Sequence, residues 1–334
     1  MTLLQTEHCA AFKRFIEVHQ QFIIAGHKEP DADCLTSCLG AAAIVAAFHK
    51  PCFFFSAGPF KRQEIKRFEY LFPKTFPAPK PAELAQTGLI LVDCSELERL
   101  GDTGYDVSQL DLFIIDHHRT SVDAEPPRFT ASDCRVIDPG SPSTTLLIQQ
   151  LYEGLLGRPG EDIASLLFLG LATDTNFFRF LGPGDSEVFR TAARLAEYGA
   201  SPRQIYDDMS GGQLFSTRKL LGIMLGRTEQ KFNGQVVYTY ETLADTQQWG
   251  KEGRDSDSLY QLLLSVEGVK AVVFVRQETE HKCTIGLRSR DALDVSAIAA
   301  KFGGGGHRNA AGATTPGLIR DVLSVILDEL EQAL

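Results

Sequence analysis

The sequence predicts an α/β protein of two domains. The first has a mainly parallel sheet of about five strands flanked by helices, and the second is a smaller α+β domain with a mixed sheet. Two observations carry this prediction. In the first half of the chain, short apolar runs alternate with helical patterns, which is typical of βαβ units around a buried parallel sheet. After a polar, glycine-bearing stretch, strand and helix patterns follow in a less regular order.

Apolar runs and amphipathic segments define the elements of the first domain, which is expected to cover 1–198. The predicted strands are 21–25 (QFIIA), 52–55 (CFFF), 89–92 (LILV) and 112–115 (LFII). The predicted helices are 4–19, 143–156, 162–172 and 186–198. Because the strands are apolar on successive residues, both faces of their sheet are expected to be covered.

A linker is predicted at 199–226, where the pattern becomes polar and glycine-bearing, with a helix at its end. The second domain is then expected at 227–334. Its predicted strands are 235–240, 269–276 and 283–289, and its predicted helices are 256–266, 295–302 and 318–334.

Composition limits the classes of function. The 334 residues are 43% hydrophobic and 23% charged, as in an ordinary folded protein, with no apolar run of membrane-spanning length and no signal-peptide pattern at the N-terminus. Seven cysteines without a C-x-x-C pair suit reduced thiols, so the protein is expected in the cytoplasm, away from membranes. A net charge of −10 argues against a long nucleic-acid track, and bound cations could meet an anionic substrate instead.

Side chains that bind metals follow three of the predicted strands and one predicted helix. They are His27, Asp31 and Asp33 after the first strand, Asp93 after the third, Asp116, His117 and His118 after the fourth, and Asp174 after the helix. The carboxyl ends of parallel strands open on one edge of the sheet, so these loops are expected to meet. Imidazole combined with carboxylates suits Mn²⁺ better than the cysteine-rich sets of structural zinc. Two such ions would suit hydrolysis at phosphorus.

Simpler explanations exist for each residue alone. A single aspartate after a strand, such as Asp93 or Asp174, is more often a turn former or helix cap, and Asp31 with Asp33 could cap the following helix. Adjacent histidines are rarer, because neighbouring side chains on a strand point to opposite faces. Chance placement at several strand ends together is the weaker explanation.

At these residues the sequence resembles the DHH phosphoesterase superfamily, which includes RecJ exonucleases, family II inorganic pyrophosphatases and nanoRNases. The first motif, H-x-x-P-D-x-D, corresponds to residues 27–33, and the name-giving triplet to 116–118. The aspartates of the second and fourth motifs match Asp93 and Asp174. Four motifs in this order cover most of the first 180 residues and are highly specific.

The resemblance implies two divalent cations, with Mn²⁺ preferred to Mg²⁺ or Co²⁺. One ion would be held by His27, Asp31 and Asp93, and the other by Asp33, Asp93, His117 and Asp174. Asp93 would join the two ions, Asp116 would orient an imidazole, and His118 would face the substrate phosphate. Residues 1–198 would then be the catalytic DHH domain.

One position departs from the family pattern. The first motif commonly continues to a Gly-Ser pair, whereas here Thr36 stands where glycine is usual. The close backbone approach that glycine permits is therefore expected to be altered there, while the metal ligands are unchanged.

A glycine run in the second domain provides a separate signal. A strand ending in Arg288 and Ser289 precedes it, and the run consists of Gly303, Gly304, Gly305, Gly306 and His307. Successive glycine amides can converge on an anion, although a glycine run alone is more often a flexible turn. The segment resembles the DHHA1 domain and its GGGGH motif. That resemblance implies a substrate clamp in which Arg288 and His307 hold the non-scissile part of the substrate.

The serines and threonines at 141–145 resemble a segment near the family's active site. Their chemistry is fully explained by a helix N-cap, so the sequence gives them little functional weight.

The predicted activity is hydrolysis of very short RNAs to 5′-mononucleotides, together with removal of phosphate from 3′-phosphoadenosine 5′-phosphate. The chain has room only for a catalytic and a clamp domain. Cyclic-dinucleotide or linear-dinucleotide hydrolysis is the alternative within the same class, and a non-catalytic nucleotide-binding regulator is the alternative of another class. A homodimer is expected only because such assemblies are common.

Overall fold

The chain divides into two units, Met1–Gly212 and Gln213–Leu334. A computed structural model describes residues 6–118, 134–252, 254–290 and 293–334. The first unit contains a five-stranded parallel sheet, and the second contains a six-stranded mixed sheet. The predicted fold class is therefore confirmed.

The first unit alternates strands with helices. Its strands are β1 (Gln21–Ala25), β2 (Cys52–Phe55), β3 (Thr87–Val92), β4 (Asp111–Asp116) and β5 (Arg135–Ile137). Its helices are α1 (Thr6–Val18), α2 (Ala32–Ala47), α3 (Gln63–Lys66), α4 (Thr144–Leu156), α5 (Glu161–Asp174), α6 (Ser186–Glu197) and α7 (Pro202–Ser210). Short 3₁₀ helices lie at Glu69–Leu71, Pro81–Gln86, Leu97–Leu100 and Val107–Gln109. The strands are ordered β2-β1-β3-β4-β5.

The central strands are apolar on successive residues because both faces of the sheet are covered. On one face, the Phe15 ring of α1 lies 5.9 Å from the ring of Phe22 and 5.3 Å from that of Phe113. On the other face, Leu100 and Leu110 belong to the core cluster that contains Ile23 of β1 and Leu89 and Leu91 of β3. Because both faces of the sheet are covered by apolar side chains, polar side chains can meet at the strand ends.

Helices α2 and α5 approach closely at Gly170. A Cβ atom at this position would overlap the hydroxyl groups of Thr36 and Thr145. The Thr36 hydroxyl itself donates to the Ala32 carbonyl over 2.7 Å. Threonine at the position where the family commonly has glycine is therefore accommodated by a glycine on the facing helix.

The second unit has a six-stranded sheet with helices on its faces. Its strands are β6 (Glu229–Lys231), β7 (Val236–Glu241), β8 (Ala271–Thr279), β9 (Lys282–Ser289), β10 (Gly305–His307) and β11 (Ala310–Pro316). Its helices are α8 (Phe215–Gly226), α9 (Leu243–Trp249), α10 (Ser256–Leu264), α11 (Val295–Lys301) and α12 (Ile319–Ala333). The order is β10-β11-β9-β8-β7-β6, in which only β7 and β8 pair in parallel.

Two separate apolar clusters hold this sheet. Ile285 and Leu287 of β9 share one cluster with Ile326 of α12. Phe274 of β8 faces the opposite side and shares the other cluster with Leu259 of α10. The period-two alternation of β8 and β9 thus divides their residues between the two faces.

Several elements were not predicted from the sequence. Strands β5, β6 and β10 are three residues long, and β11 (AAGATTP) begins with small residues and ends in proline, with two threonines as its sole β-branched residues. The segment predicted as a linker, 199–226, contains α7 and α8. The predicted first helix begins at Leu4, which lies outside the described residues. In the described part of the chain, no helix combines the length and apolarity needed to cross a membrane.

Candidate active site

Side chains of the types that bind metals gather where β1, β3 and β4 end, together with the last residue of α5. The three strands are neighbours in the sheet, so the loops that leave them open at one edge. His27 and Asp33 come from the first loop and the start of α2, Asp93 from the second, and His117 from the third. Asp174 is the last residue of α5.

Asp93 lies at the centre of this group. It follows β3 with a φ of 60°, a conformation that is uncommon for residues other than glycine, and it is 2% exposed. Its Oδ2 atom lies 3.3 Å from Nε2 of His27, and its Oδ1 atom lies 3.6 Å from Nε2 of His117. The two carboxylate oxygens therefore face two different imidazoles.

The His117 ring is surrounded by three carboxylates. Besides Asp93, its Nε2 atom lies 3.3 Å from Oδ2 of Asp174 and 4.0 Å from Oδ2 of Asp33. Its Nδ1 atom lies 3.2 Å from the carbonyl oxygen of Ser141. A proton on Nδ1 would be donated to that carbonyl and would leave the Nε2 lone pair free for a cation.

The His27 ring is arranged in a similar way. Its Nδ1 atom lies 2.8 Å from the carbonyl oxygen of Lys28, while Nε2 lies 3.9 Å from Oδ1 of Asp31. The same Asp31 oxygen accepts the backbone N–H of Cys34 over 3.1 Å and caps α2. Asp31 thus has a capping role in addition to its place beside His27.

Cys34 also contributes a possible metal ligand, which the sequence reasoning missed. Its sulfur, an imidazole nitrogen of His27 and a carboxylate oxygen of Asp93 all lie within 4.8 Å of one another. The sequence analysis treated the seven cysteines only as reduced thiols. Cys34 is buried in the first turn of α2, where its sulfur lies beside His27 and Asp93.

The N-terminus of α4 holds the carboxylates in place. Asp33 accepts the backbone N–H groups of Thr144 and Thr145 over 2.7 and 2.9 Å, and it also accepts the Thr145 hydroxyl. The Thr144 hydroxyl donates to Oδ1 of Asp93 over 2.8 Å. The positive end of the α4 dipole thereby faces buried carboxylates. These threonines carried little weight in the sequence analysis, although the hydroxyl-rich helix start was a signal that could have identified them.

Burial and mutual repulsion govern the ionisation of the cluster. Burial and the nearby charges of Asp93 and Asp174 raise the pKa of Asp33 well above its usual range. Burial likewise raises the pKa of Asp174 to about 6. Burial disfavours the charged form of His27, yet hydrogen bonding to Asp93 raises the pKa of that imidazole to about 11. Such a set of acidic oxygens and imidazoles fits two divalent cations, which would offset the repulsion.

Asp116 and His118 form a separate pair beside the cluster. The Asp116 carboxylate accepts three hydrogen bonds. They come from Nδ1 of His118 over 2.8 Å, from the His118 backbone N–H over 3.1 Å and from the Ser95 hydroxyl over 2.5 Å. The hydrogen bond to Asp116 raises the pKa of His118. Burial opposes ionisation of Asp116, but its hydrogen bonds to His118 and Ser95 lower its pKa. The pair therefore favours a charged carboxylate beside a protonated imidazole.

Comparison with known proteins assigns the chain. Residues 21–171 match the DHH family, N-terminal domain, and residues 218–334 match the DHHA1 domain. A relative from Thermus thermophilus, the bifunctional oligoribonuclease and PAP phosphatase NrnA, is 32% identical over 315 residues, which are 93% of this chain and 90% of the relative. The chain belongs to the DHH family. Its first unit carries the DHH match, and its second carries the DHHA1 match.

Solved structures of low sequence identity share the fold of this DHH-family chain. An exopolyphosphatase-related protein from Bacteroides fragilis superposes with a TM-score of 0.76 at 20% identity, covering 99% of this chain and 98% of that one. Exonuclease RecJ bound to manganese superposes with a TM-score of 0.53 at 15% identity, covering 100% and 97%.

In the DHHA1 domain, the expected clamp residues fall on different faces. Arg288 pairs with Ala310, which pairs with His307, so these three residues form one row across β9, β11 and β10. Ser289 lies on the opposite face, where its hydroxyl donates to the Leu293 carbonyl over 2.7 Å. The structure therefore brings Arg288 and His307 to one face but not Ser289.

The glycine run of the DHHA1 domain is more ordered than a free anion-binding loop. The N–H groups of Gly303 and Gly304 donate to carbonyls of α11 over 3.0 Å, with Gly303 at a φ of 71°. This pattern ends the helix as a Schellman motif. Gly305 and Gly306 then enter β10. The expected convergence of four free amides is not observed, because two of them already close the helix.

Proposed function

We propose that the protein hydrolyses very short oligoribonucleotides to 5′-mononucleotides and also dephosphorylates 3′-phosphoadenosine 5′-phosphate. The name of the Thermus thermophilus relative supports this substrate class. The net charge of −10 supports a short substrate, because a long strand would need an extended basic track. The DHH and DHHA1 matches support a division in which the first unit would be catalytic and the second would bind the substrate.

The observation that carries the proposal is the division of the Asp93 carboxylate between two imidazoles. On one side, His27 with Asp31 and Asp93 would hold one cation. On the other side, His117 with Asp33, Asp93 and Asp174 would hold the second. When bound, two such ions would polarise the phosphoryl group and lower the pKa of the attacking water.

The protein's own residues would position and protonate the reacting groups. Asp116 orients the His118 ring through the 2.8 Å hydrogen bond, and the same hydrogen bond raises the pKa of that imidazole, which favours its protonated form. His118, 42% exposed, can donate a hydrogen bond to a phosphoryl oxygen as negative charge develops. Thr144 and Thr145 would keep the carboxylates of Asp93 and Asp33 in fixed orientations.

Mn²⁺ is the ion that we propose, with Mg²⁺ and Co²⁺ as the alternatives. Histidine combined with several carboxylates is a donor set typical of such ions rather than of structural zinc. The RecJ structure of similar fold was solved with manganese. We further propose a cytoplasmic location, in keeping with seven free cysteines, and a homodimer, which light scattering would test.

In the second unit, Arg288 and His307 would hold the part of the substrate that is not cleaved. Among the residues that the structure describes, the carboxylate beside Arg288 is that of Asp257, which lies 3.8 Å away and is 85% exposed. A guanidinium with so weak a partner can bind a phosphate. Ser289 would act indirectly, because its hydroxyl fixes the backbone near Leu293 and accepts the side-chain amide of Asn309.

A product-resolved substrate panel tests this function. The full-length protein with Mn²⁺ would be given pApA, longer oligoribonucleotides, 3′-phosphoadenosine 5′-phosphate and cyclic dinucleotides, and mononucleotide release would be followed by chromatography. We expect release of adenosine monophosphate from pApA. Preferential cleavage of cyclic dinucleotides would instead favour the alternative activity, and absence of product from metal-loaded protein would favour a nucleotide-binding regulator.

The Arg288→Ala variant separates substrate binding from metal binding. We expect a raised KM for pApA and unchanged metal content, because Arg288 lies in the unit that carries no predicted metal ligand. Metal content is measured by elemental analysis of the dialysed protein. An equal loss of metal would contradict the proposed role of Arg288.

A further inference from the structure

The two sides of the Asp93 carboxylate offer different donor atoms to a cation. On one side, nitrogen and oxygen donors that lie within 4.8 Å of one another come from Asp33, His117 and Asp174. On the other side, the corresponding group comprises His27, Cys34 and Asp93 and therefore contains a sulfur. Thiolate ligands favour softer ions such as Zn²⁺, whereas carboxylates suit Mn²⁺, so the two sides differ in the ion that they prefer.

The His27 imidazole can bind a cation through Nε2. Its Nδ1 atom lies 2.8 Å from the carbonyl oxygen of Lys28, and a proton donated to that carbonyl leaves the Nε2 lone pair free. Nε2 lies 3.3 Å from Oδ2 of Asp93. Two donors that share a tetrahedral ion at about 2.0–2.3 Å lie about 3.3–3.8 Å apart. The imidazole and the carboxylate therefore already have the separation of two ligands of one ion.

Asp31, which the family pattern implies as the third ligand here, has other partners. Its Oδ1 atom accepts the backbone N–H of Cys34 over 3.1 Å and lies 3.9 Å from Nε2 of His27. Its Oδ2 atom lies 4.0 Å from Nη2 of Arg62. Among the residues that the structure describes, the donor group beside His27 includes Cys34 and not Asp31. The sulfur is therefore the better placed third ligand.

The Cys34 sulfur is held at the end of β1. A Cβ atom on Gly26 would overlap this sulfur, so the glycine that precedes His27 leaves the space that the sulfur occupies. Cys34 lies in the first turn of α2, directly after Asp33. The start of this helix therefore supplies a ligand to each cation site, Asp33 to one and Cys34 to the other.

Cys34 differs from the other six cysteines in its packing. Each of those six lies within an apolar cluster or packs against one, as is usual for a small thiol side chain. In the described part of the chain, Cys34 belongs to none of the four apolar clusters, although it is only 1% exposed. Packing in an apolar core therefore does not account for the position of this thiol, whereas binding of a cation does.

We propose that Cys34 is a metal ligand and that the two cation sites hold different ions. His27, Cys34 and Asp93 bind a thiophilic divalent ion of the Zn²⁺ class, and three protein ligands leave a fourth position open, as in catalytic zinc sites. The site around His117 binds the harder Mn²⁺. As the sulfur–metal bond forms, the Cys34 thiol releases its proton to solvent.

This inference rests on the proposed two-cation function and deepens it by naming the ion on the His27 side. Mn²⁺ supplied alone can fill both sites, because its oxygen and nitrogen ligands are present on both sides of Asp93. The difference between the sites becomes measurable when Zn²⁺ and Mn²⁺ are both present.

X-ray absorption spectroscopy of the wild-type, full-length protein tests the ligand without any variant. Metal-free protein would receive one equivalent of Zn²⁺ and then one equivalent of Mn²⁺. We expect one sulfur neighbour at about 2.3 Å from zinc, and only nitrogen and oxygen neighbours around manganese. Zinc surrounded by nitrogen and oxygen alone would overturn the proposal.

Calorimetry with the Cys34→Ala variant tests the preference for Zn²⁺. Loss of a side chain that only supports a metal ligand typically lowers metal affinity about 10–100-fold, so loss of a direct ligand should cost at least as much. We therefore expect the Kd of the first Zn²⁺ to rise about tenfold or more in Cys34→Ala. The Kd of Mn²⁺ should change less, because Mn²⁺ gains little from sulfur.

Cys38→Ala is the matched control, because Cys38 is fully buried one turn further along α2 but lies within an apolar cluster. This variant should bind Zn²⁺ as the wild-type protein does. Equal weakening of Zn²⁺ and Mn²⁺ in Cys34→Ala, or equal effects of the two variants on Zn²⁺, would contradict the proposal.

Hydrolysis of pApA is measured separately, so that the metal assignment and the catalytic function can fail independently. A zinc–sulfur bond in a protein that does not cleave pApA would support the Cys34 site and contradict the catalytic function. Cleavage of pApA by a protein whose zinc has no sulfur neighbour would contradict the Cys34 site alone.

Discussion

Replacement of Asp174 by asparagine tests the electrostatic account of the metal-binding cluster. In the folded protein without metal, burial raises the pKa of Asp174 to about 6, compared with its ordinary value of 3.8. A carboxyl whose pKa is raised by folding contributes stability that is fully present below pH 3.8. That stability is lost as the pH rises through 6. At neutral pH the charged Asp174 should therefore destabilise the metal-free protein, and Asp174→Asn should remove this cost.

The expected size follows from the two pKa values. A difference of about two units corresponds to about 3 kcal/mol, which should be almost fully expressed at pH 7.5. At pH 4.5 the same linkage leaves only about 1 kcal/mol. For a cooperative unit of this size, each kcal/mol shifts Tm by about 2–4 °C, so the variant should melt about 6–12 °C above the wild-type protein at pH 7.5.

Thermal unfolding in EDTA at pH 4.5 and 7.5 would measure this difference. Asp162→Asn is the matched control, because Asp162 lies on the same helix α5 but is exposed, and its effect should stay within about 0.5 kcal/mol. With Mn²⁺ at about 100 times its Kd, the wild-type protein should gain about 2.7 kcal/mol per site, and the variant should gain less. An Asp174→Asn variant that is destabilised equally at both pH values would refute the electrostatic account.

Four further predictions concern the same cluster. Asp93→Ala should abolish turnover and lower the bound metal measured by elemental analysis, and near-normal activity would exclude a shared ligand. Thr145→Val should reduce kcat about tenfold or more because Asp33 loses a hydroxyl donor, and Thr145→Ser should restore it. If the Cys34 sulfur is a metal ligand, Co²⁺-loaded protein should show a sulfur-to-cobalt charge-transfer band that the Cys34→Ala variant lacks. Absence of this band from the wild-type protein would exclude Cys34 as a ligand. Since His27 has a pKa of about 11 without metal, Mn²⁺ binding should release protons and weaken as pH falls, which calorimetry in buffers of different ionisation enthalpy would detect.

Much of the DHH unit could be predicted from local sequence. The apolar runs of β1, β2, β3 and β4 are short and bounded by polar loops, and the structure extends the predicted strands by two residues at most. The position of metal-binding residue types after these strands follows from the way parallel strands open on one edge. These features depend on hydrophobic periodicity and on neighbouring residues, which a single sequence displays directly.

The hydrogen bonds from the N-terminus of α4 to the buried carboxylates could not be predicted from local sequence. Thr144 and Thr145 lie more than a hundred residues after Asp33, yet they donate to its carboxylate. Locally their hydroxyl-rich segment is indistinguishable from an ordinary helix cap. Only the packing of α4 against α2 brings that helix end onto the buried carboxylate.

The sequence by itself determined that this protein has two α/β units, a set of carboxylates and imidazoles at strand ends, and the motifs of the DHH family. Only the tertiary structure decided that the oxygens of Asp93 face two imidazoles, that Cys34 joins one group, and that Gly286, Gly312 and Gly305 align in one row across β9, β11 and β10. The reason is physical. Strand and helix identity arises from contacts between near neighbours in the chain, whereas these arrangements arise from strand register and helix packing between distant segments.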